Sequence, residues 1–294
     1  MNFLVLSRNP ALYSTQSIVN AGRRRGHYIR VIDHMYCDLI MEKGKLQVMY
    51  QGELIEGYDA VIPRIGNTAT SYGSAVVRQF EMMGVFSTLD HESLLRARNK
   101  ISSLQLLAAA GIGVPKTVIS NNSYAIPEAL DALGDFPAII KLENGTHGIG
   151  VILAEKKKQA EAMLETFYKL KQRVLLQEFV KESKGADIRV LIVDDTITGV
   201  MQRQAQEGEF RSNLHRGGSS FVVRLTEEEA VTAKRAARVM GLKVCGVDML
   251  RSNKGPLILE VNASPGLEGI ETTTRIDIAG KIIQFCERNA KNDI

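Results

Sequence analysis

The sequence has no tryptophan, three cysteines and seven prolines among its 294 residues, and 6% of the residues are aromatic. The cysteines, Cys37, Cys245 and Cys286, are odd in number, lie far apart and form no CxxC motif. This spacing argues against a disulfide framework, because such frameworks use several paired cysteines in short secreted chains. We therefore expect reduced thiols in a cytoplasmic protein.

Long hydrophobic runs are also missing. The first residues, MNFLVLSRNP, contain a four-residue apolar run, which is too short for a signal peptide. No later run reaches the roughly 20 residues that a membrane-spanning helix needs. The composition, 45% hydrophobic and 24% charged, is that of an ordinary globular protein. A chain of 294 residues suits two or three domains. Because neither a signal peptide nor a membrane-spanning run is present in the sequence, we expect a cytosolic protein without membrane association.

Two further partner classes are disfavoured. The net charge of +4 is too small to require nucleic acid, and we expect no direct nucleic-acid binding. Residues 2–6 read as a buried strand, but no G-x-G-x-x-G follows it. Ser7-Arg8-Asn9-Pro10 stands where that dinucleotide-binding fingerprint would lie, which argues against a nicotinamide or flavin cofactor.

The first part of the chain has a β-α-β pattern instead. Strands are predicted over residues 2–6, 28–32, 59–65 and 85–89. One helix is predicted to end at Gly26 and another to span residues 73–83. This pattern predicts a small α/β domain with a parallel sheet over residues 1–95. Arg64 ends one of these strands, where ligands approach an open α/β sheet. Arg64 is therefore a candidate substrate-site residue, and an exposed surface residue is the equal alternative.

The last third of the chain contains closely spaced oxygen ligands. The run LILEVN alternates, which predicts a strand with Ile258, Glu260 and Asn262 on one face. The apolar run VCGVDML precedes it across turn-forming residues, so a hairpin would place Asp248 near Glu260. Two carboxylates and an amide suit magnesium far better than zinc. The alternative is a hairpin whose polar residues face solvent, but that does not account for the loop NASPG that follows.

Two lysines and a glycine-rich segment indicate phosphate binding. Lys100 stands in the first turn of a helix predicted from the Asn99 cap to Ala110, where a cation opposes the helix dipole unless an anion is near. Lys141 ends a predicted strand, and ENGTHGIG follows it. The order of residues fits neither a Walker loop nor a Rossmann turn, so we predict a hairpin flap over a triphosphate. A solvated lysine and a plain hairpin turn are the alternatives.

The segment between these motifs contains candidate base and anion contacts. Residues 177–181, QEFVK, could form a strand edge whose backbone groups bind a flat base. Strands are predicted over residues 187–193 and 196–203, and three arginines follow within residues 203–216. Such a cluster can bind anions, although arginine-rich loops are often surface loops paired with acids. A capped helix over residues 226–241 and an amphipathic, core-facing C-terminal helix complete the pattern.

In this order the motifs resemble the ATP-grasp superfamily of carboxylate-amine ligases. NKISSLQLLAAAGI, GTHGIGV, FRSNLHRGG and EVNASPGLEGIE are similar to the RimK family, the L-glutamate ligases that modify a small-subunit ribosomal protein. The likeness covers essentially the whole chain. It implies a mixed α/β and α+β fold, in which a pre-ATP-grasp α/β domain (1–95) precedes the ATP-grasp fold. That fold would comprise an N-terminal subdomain with the glycine-rich flap (96–185) and a C-terminal subdomain with the metal site (186–294).

The resemblance also implies roles for individual residues. The phosphates of ATP would contact Lys100 and Lys141, and the adenine would contact Glu178, Phe179 and Val180. Asp187 would contact the nucleotide, and the triphosphate would lie by Arg211, Ser212 and Asn213. Arg203 would be the catalytic residue that stabilises an acyl phosphate. The divalent ions would be held by Asp248, Glu260 and Asn262.

The implied reaction adds L-glutamate to the C-terminal carboxylate of a ribosomal small-subunit protein through an acyl phosphate, releasing ADP and phosphate. Repeated addition would make poly-glutamate. The implied cofactors are ATP and Mg²⁺ or Mn²⁺, with two ions, and the implied assembly is a homo-oligomer. No histidine or cysteine has neighbours that suggest covalent catalysis.

Two alternatives stay open. His147 stands where many relatives carry glutamine, so the acceptor could be another carrier protein, a cofactor or a peptide. The second alternative is a regulatory protein that binds ATP without catalysis. Binding alone would not require Arg203, Asp248, Glu260 and Asn262 together, which argues against this alternative.

Overall fold

The computed structural model describes residues 1–143, 150–212 and 217–290. Up to residue 98 its elements are β1 (Asn2–Leu6), α1 (Tyr13–Arg24), β2 (Tyr28–Ile32), β3 (Cys37–Glu42), β4 (Lys45–Tyr50), β5 (Glu53–Leu54), β6 (Ala60–Pro63), α2 (Thr70–Met82), β7 (Phe86–Ser87) and α3 (His91–Arg98). Strands β2-β1-β6-β7 form a parallel sheet in that order. The predicted β-α-β opening is confirmed.

An antiparallel sheet of β3, β4 and β5 was not predicted. It packs on helix α2, where the Gln79 Nε2 donates to the carbonyl oxygens of Ile40 and Gln47 at 3.0 and 3.1 Å. Val48 and Ile55 are buried in the same core as the α2 side chains. Only a few of its side chains are buried, so the sequence of this sheet carries little hydrophobic alternation.

The middle of the chain forms a second antiparallel sheet with two helices on one face. Its elements are α4 (Lys100–Ala109), β8 (Thr117–Ile119), α5 (Ile126–Leu133), β9 (Ala138–Leu142), β10 (Val151–Ala154), α6 (Lys157–Lys169) and β11 (Val174–Glu178). The Asn99 side chain accepts from the Ser102 N–H at 2.9 Å, which confirms the predicted cap. The strand order is β10-β9-β11-β8. The predicted strand edge is therefore wrong at residues 177 and 178, where the segment of β8 pairs along β11, and residues 179–181 lie beyond the end of that strand.

The last part of the chain forms a five-stranded antiparallel sheet. Its elements are β12 (Ala186–Val193), β13 (Thr196–Gln204), β14 (Ser219–Val222), α7 (Glu227–Val239), β15 (Val244–Ser252), β16 (Gly255–Asn262), α8 (Glu268–Thr274) and α9 (Ile278–Asn289). The strand order is β14-β13-β12-β15-β16. Both bonds of the predicted capping box between Thr226 and Glu229 are present. The predicted hairpin of β15 and β16 is confirmed.

A β-bulge interrupts this hairpin beside the predicted metal ligands. Asp248 pairs with Glu260, but Met249 pairs with Ile258, so Leu259 has no partner of its own. The predicted strict alternation is therefore wrong at one position. Ile258 is buried in the same core as Val261 instead of sharing the face of Glu260. Bulges re-aim side chains in this way next to active sites.

The first and last parts of the chain share their hydrophobic cores. One core joins helix α2 to strands β12, β15 and β16, and another joins β1 and α1 to helix α9. At the α1–α9 contact, the Arg25 guanidinium donates to both carboxylate oxygens of Glu287 at 2.8 and 2.7 Å. The core-facing role predicted for the C-terminal helix is thus confirmed. Within the described residues, no helix combines the length and the apolar character needed to cross a membrane.

Candidate active site

Four of the predicted site residues lie in two adjacent rows on one face of the five-stranded sheet. Asp187 on β12 pairs with Arg203 on β13, and Asp248 on β15 pairs with Glu260 on β16. Arg189, two residues after Asp187, pairs with Asp248. Because alternate residues of a strand share a face, this register places all five side chains on the same side of the sheet.

Two arginines and two aspartates of these rows form one buried network. Arg203 donates to Asp187 through Nε at 2.7 Å and Nη2 at 2.6 Å, and its Nη2 also donates to Asp248 Oδ2 at 2.9 Å. Arg189 donates to Asp248 through Nε at 2.7 Å and Nη2 at 2.6 Å. The Ser212 hydroxyl donates to Asp187 Oδ2 at 2.7 Å. Bidentate arginine–carboxylate pairs of this kind fix orientation as well as charge.

The network keeps its charges although it is buried. Burial by itself raises the pKa of Asp248, but the guanidiniums of Arg189 and Arg203 outweigh it and hold that pKa well below its usual range. Burial would lower the pKa of Arg203, but Asp248 and Asp187 raise it. Asp248 therefore stays an anion at any physiological pH.

The predicted metal ligands fit a hard divalent cation. Asp248 Oδ1 accepts a single bond within the described residues, from Arg189 Nε, so it keeps a lone pair for a cation. The Asn262 Nδ2 donates to Glu260 Oε1 at 2.7 Å, which leaves the amide oxygen for the same purpose. The described residues contain no group of three or more acidic, histidine or cysteine side chains around one point. The amide, water and substrate oxygens would therefore complete the coordination, as magnesium sites commonly require.

Glu260 lies where carboxylate and cationic groups meet. The residue is exposed to solvent, although protein groups surround its carboxylate. Loss of surrounding water and the charge of Asp248 raise the pKa of Glu260, whereas Arg189, Lys141 and Arg203 lower it. A bound cation would favour the ionised carboxylate.

The predicted phosphate lysines, Lys100 in helix α4 and Lys141 on strand β9, both lie near Glu260. The Lys100 Nζ donates to the carbonyl oxygens of Leu142 and Glu143 at 3.1 and 2.8 Å. The Lys141 Nζ donates to Gln177 Oε1 at 2.6 Å. Burial, followed by the charge of Lys100, lowers the pKa of Lys141 to about 8 against the opposing charge of Glu260. The structure therefore brings both lysines and Glu260 within electrostatic reach of one another.

The predicted adenine residues lie at the end of β11 and just beyond it. The Glu178 carboxylate accepts from the Lys116 N–H at 2.9 Å and pairs with the Lys254 Nζ at 3.2 Å, which ties the second sheet to the turn of the β15–β16 hairpin. The Phe179 ring meets the Phe210 ring edge-on, with centroids 6.4 Å apart. Val180 is buried. Phe179, Phe210 and Val180 together provide the apolar wall that a flat base requires.

The segment before residue 213 bridges the two sheets. Arg211 donates to both oxygens of Glu209 at 2.9 and 2.7 Å, covers the Phe210 ring at 5.3 Å and reaches the Val151 carbonyl at 3.5 Å. The Arg211 pairing lowers the pKa of Glu209 to about 2. Predicted contacts of Asn213, and the glycine-rich flap over residues 144–149, lie outside the described residues.

Two residues of the site were not predicted. Arg189 follows Asp187 by two positions, and the period of a strand could have placed it on the same face. Gln177, the partner of Lys141, was interpreted only as part of an edge. Arg64 was predicted to contact either a substrate or solvent. It faces the loop after β16, where its Nη2 donates to the Pro265 carbonyl at 2.5 Å.

Comparisons with known proteins find relatives along nearly the whole chain. Residues 97–286 match the family model of the RimK-like ATP-grasp domain, and residues 1–94 match that of the RimK PreATP-grasp domain. A relative named "Probable alpha-L-glutamate ligase 1", from Hahella chejuensis, is 54% identical over 291 residues, covering 99% of this chain and 96% of the relative. A relative named "Probable alpha-L-glutamate ligase", from Azotobacter vinelandii, is 52% identical and covers 100% of this chain and 98% of its own.

Solved structures share the fold at low identity. The ATP-grasp ligase PsnB, complexed with minimal precursor, Mg and ADP, has a TM-score of 0.76 at 22% identity, covering 99% of this chain and 98% of its own. The D-alanine–D-alanine ligase of Bacillus anthracis complexed with ATP has a TM-score of 0.68 at 18% identity, with 99% and 98% covered. The expected ATP-grasp fold with an N-terminal pre-ATP-grasp domain is thereby confirmed.

Proposed function

The chain belongs to the RimK-like ATP-grasp family of carboxylate-amine ligases, and we propose that it joins L-glutamate to the C-terminal carboxylate of a ribosomal small-subunit protein. The names of relatives that are more than half identical along nearly the whole chain support glutamate as the amino acid. The ribosomal acceptor follows from the resemblance described above. The same activity acting repeatedly would yield poly-glutamate.

The proposed reaction has two steps. A carboxylate oxygen of the acceptor attacks the γ-phosphorus of ATP, the bond from that phosphorus to the bridging oxygen breaks, and ADP leaves. The nitrogen of the glutamate amine then attacks the acyl carbon, the carbon–oxygen bond to phosphate breaks, and an amide forms. The amine proton leaves with the phosphate. No protein group is covalently modified, so positioning and electrostatics provide the catalysis.

The sheet of β8 to β11, helix α4 and the segment that contains Arg211 would hold ATP. Lys100 and Lys141 would offset the charge of the phosphates, as lysines do in other phosphoryl-transfer sites. Arg211 and Ser212 would border the triphosphate together with Asn213, and the nucleotide would contact Asp187. Adenine would contact the apolar wall formed by Phe179 and Val180 beside Glu178.

Arg203 would stabilise the charge that develops on the acyl phosphate. Asp187 fixes its guanidinium through two hydrogen bonds, so the group is already oriented before substrate binds. Within the described residues its Nη1 donates to no protein acceptor and is available to a substrate oxygen.

Mg²⁺ or Mn²⁺, two ions in our proposal, would offset charge on the β- and γ-phosphates when bound. Asp248, Glu260 and Asn262 would hold these ions. The oxygen-only donor set and the free lone pair of Asp248 support this role.

The network that joins Asp187, Arg203 and Asp248 is the single observation that carries the proposal. It links the residues proposed for nucleotide, acyl phosphate and metal through direct hydrogen bonds. A non-catalytic nucleotide-binding protein would not need this connection.

Incubation of the protein with ATP, Mg²⁺, L-glutamate and individual small-subunit ribosomal proteins tests the proposal. Intact-protein mass spectrometry should reveal glutamyl additions to one acceptor, and chromatography should detect ADP without AMP. An acceptor whose C-terminal carboxylate is amidated should not react. ADP release that requires a carrier protein, cofactor or small peptide instead would overturn the ribosomal assignment.

We also propose the three-part division at residues 95 and 185, a cytoplasmic location and a homo-oligomer. Buried, unpaired Cys37, Cys245 and Cys286 support a reducing location. Burial raises the pKa of Cys37 and Cys245 to about 12, so neither thiol is a ready nucleophile. The exposed side chains of Tyr36 and Met41 support self-association through the small sheet.

A further inference from the structure

Arg64 and Arg98 bring two positive charges to the loop that follows β16. Arg64 lies directly after β6, and its Nη2 donates to the Pro265 carbonyl at 2.5 Å. Arg98 ends helix α3, and its Nη2 donates to the carbonyl oxygen of Ile65. The two guanidiniums are therefore neighbours where the first part of the chain meets the last.

This pair has no counter-charge in direct contact. Within residues 1–143, 150–212 and 217–290, neither guanidinium forms an ion pair, and the Nε of Arg98 is buried without a hydrogen-bond partner. Burial, followed by the charge of Arg98, lowers the pKa of Arg64 to about 10. Burial also lowers the pKa of Arg98, against the more distant charge of Glu260. Partly desolvated like charges with an unused donor are unfavourable unless an anion binds them.

Pro265 connects the arginine pair to the reaction centre. A methyl group on Gly246 would lie 3.0 Å from Pro265 Cβ and 3.9 Å from Arg189 Nε, so Gly246 packs against Pro265 and lies near Arg189. Arg189 in turn binds Asp248. Next to Pro265, the Ser264 hydroxyl is buried and has no hydrogen-bond partner within the described residues. Two unused donors, the Ser264 hydroxyl and the Arg98 Nε, thus lie in and near this loop.

We propose that Arg64 and Arg98 form the subsite that binds a carboxylate of the incoming acidic amino acid and so directs its free amine toward the acceptor. This inference rests on the proposed function and adds the recognition of its second substrate. The guanidinium fork suits a carboxylate, since it offers parallel donors in one plane.

The charges favour the incoming amino acid over the acceptor as the occupant. The acceptor carboxylate has to reach the γ-phosphate of ATP, where Arg203 and the lysines already supply positive charge. An acidic amino acid carries two carboxylates that are not consumed in the reaction and that need partners outside the phosphate site. Glutamine lacks the side-chain carboxylate, so a subsite that holds this carboxylate would also select glutamate over glutamine.

Steady-state kinetics of Arg64→Gln and Arg98→Gln test the subsite. Each should raise the KM for L-glutamate by about 10- to 100-fold, the range expected for losing a charge-assisted hydrogen bond. The KM for ATP should change less than about twofold. Arg78→Gln, which alters an exposed arginine of α2, is the matched control and should leave both values unchanged. Arg64→Lys and Arg98→Lys keep the charge and should recover part of the glutamate affinity.

A binding measurement separates failure of the subsite from failure of the proposed function. Glutarate, a dicarboxylate without an amine, should compete with glutamate and should bind the wild type at least tenfold more tightly than Arg98→Gln by calorimetry. Unchanged glutamate KM in folded Gln and Lys variants would overturn the subsite while leaving the ligase activity intact. If the wild type transfers no glutamate, the proposed function fails. Loss of glutarate binding in the variants would then support a carboxylate site, and its retention would overturn one.

Discussion

Arg189 holds Asp248 with two hydrogen bonds, Nε to Oδ1 at 2.7 Å and Nη2 to Oδ2 at 2.6 Å, across paired strands β12 and β15. The exposed fractions of the two side chains are only 14% and 4%. The proposed metal ligand is thus oriented by a residue whose own role is positional. An oriented carboxylate needs little rearrangement when substrate arrives, which is the main electrostatic advantage of a preformed site.

Arg189→Gln should reduce both stability and activity. Asp248 would keep its bond to Arg203, so the loss is that of charge-assisted hydrogen bonds, about 1.5–3 kcal/mol in the free energy of unfolding. Urea denaturation would measure it. Arg173→Gln is the matched control, because Arg173 forms an ion pair with Glu143 and its side chain is 61% exposed. An exposed pair of this kind should contribute only about 0–1 kcal/mol to the free energy of unfolding. Equal losses in the two variants would show that Arg189 is not a buried positioning residue.

Glu260→Gln should separate activity from stability. The change keeps the shape and removes the charge of a proposed metal ligand, so ADP release should fall about 100-fold or more. The protein environment raises the pKa of Glu260, which means that folding disfavours its ionised form. The variant should therefore be as stable as the wild type, or more stable, in thermal unfolding at neutral pH. Glu268→Gln, an exposed change in α8, is the control. Wild-type activity in Glu260→Gln would remove this residue from the metal set.

The hairpin of Asp248 and Glu260 was predictable because two apolar runs joined by turn residues specify both the pairing and the face. The bulge at Leu259 was not predictable, since it depends on how Ile258 and Val261 both fit one core. The interior position of β11 was missed for a similar reason. Its neighbour β8 is a three-residue strand, and so short an element has no measurable periodicity.

Residue contacts were less predictable than residue types. The sequence indicated that Arg203 could bind an anion, but not that it pairs with Asp187 and Asp248. Such pairing depends on strand register. A two-residue turn joins β12 to β13, but a bulge between Leu191 and Ile192 shifts their register by one residue. The pairing of β12 with β15 is made across a long connection, whose register a single sequence leaves open. Arg189 was missed because one arginine in an apolar strand carries no motif.

ATP binding should become linked to proton uptake above pH 8. Burial lowers the pKa of free Lys141 to about 8, and a bound phosphate would raise it again because it favours the charged ammonium. Below pH 8 the lysine is already charged, so binding should be independent of pH there. Above pH 8 binding must first recharge it, so affinity should fall as pH rises, by at most about tenfold per unit.

Calorimetry at pH 9 in two buffers of different ionisation enthalpy would measure the proton taken up with ATP. Lys141→Arg is the control, since arginine stays charged throughout this range and should abolish the buffer dependence. Equal proton uptake in Lys141→Arg would assign the effect to another group. Buffer-independent binding by the wild type would show that the ATP phosphates do not contact Lys141.

Gly246→Ala should disturb the loop that links the proposed metal and amino-acid sites. The new methyl group would lie 3.0 Å from Pro265 Cβ, closer than normal packing allows. Pro265 must shift, and overpacking of this kind costs about 1–3 kcal/mol in the free energy of unfolding. Gly266→Ala is the matched control in the same loop, because its methyl group would meet nothing within 4 Å. Thermal unfolding should therefore detect a loss only in Gly246→Ala. Because Asn262 and the Arg64 contact lie at either end of the shifted loop, the KM values for metal and glutamate should rise together in this variant. A rise in only one of them would show that the loop does not couple the two sites.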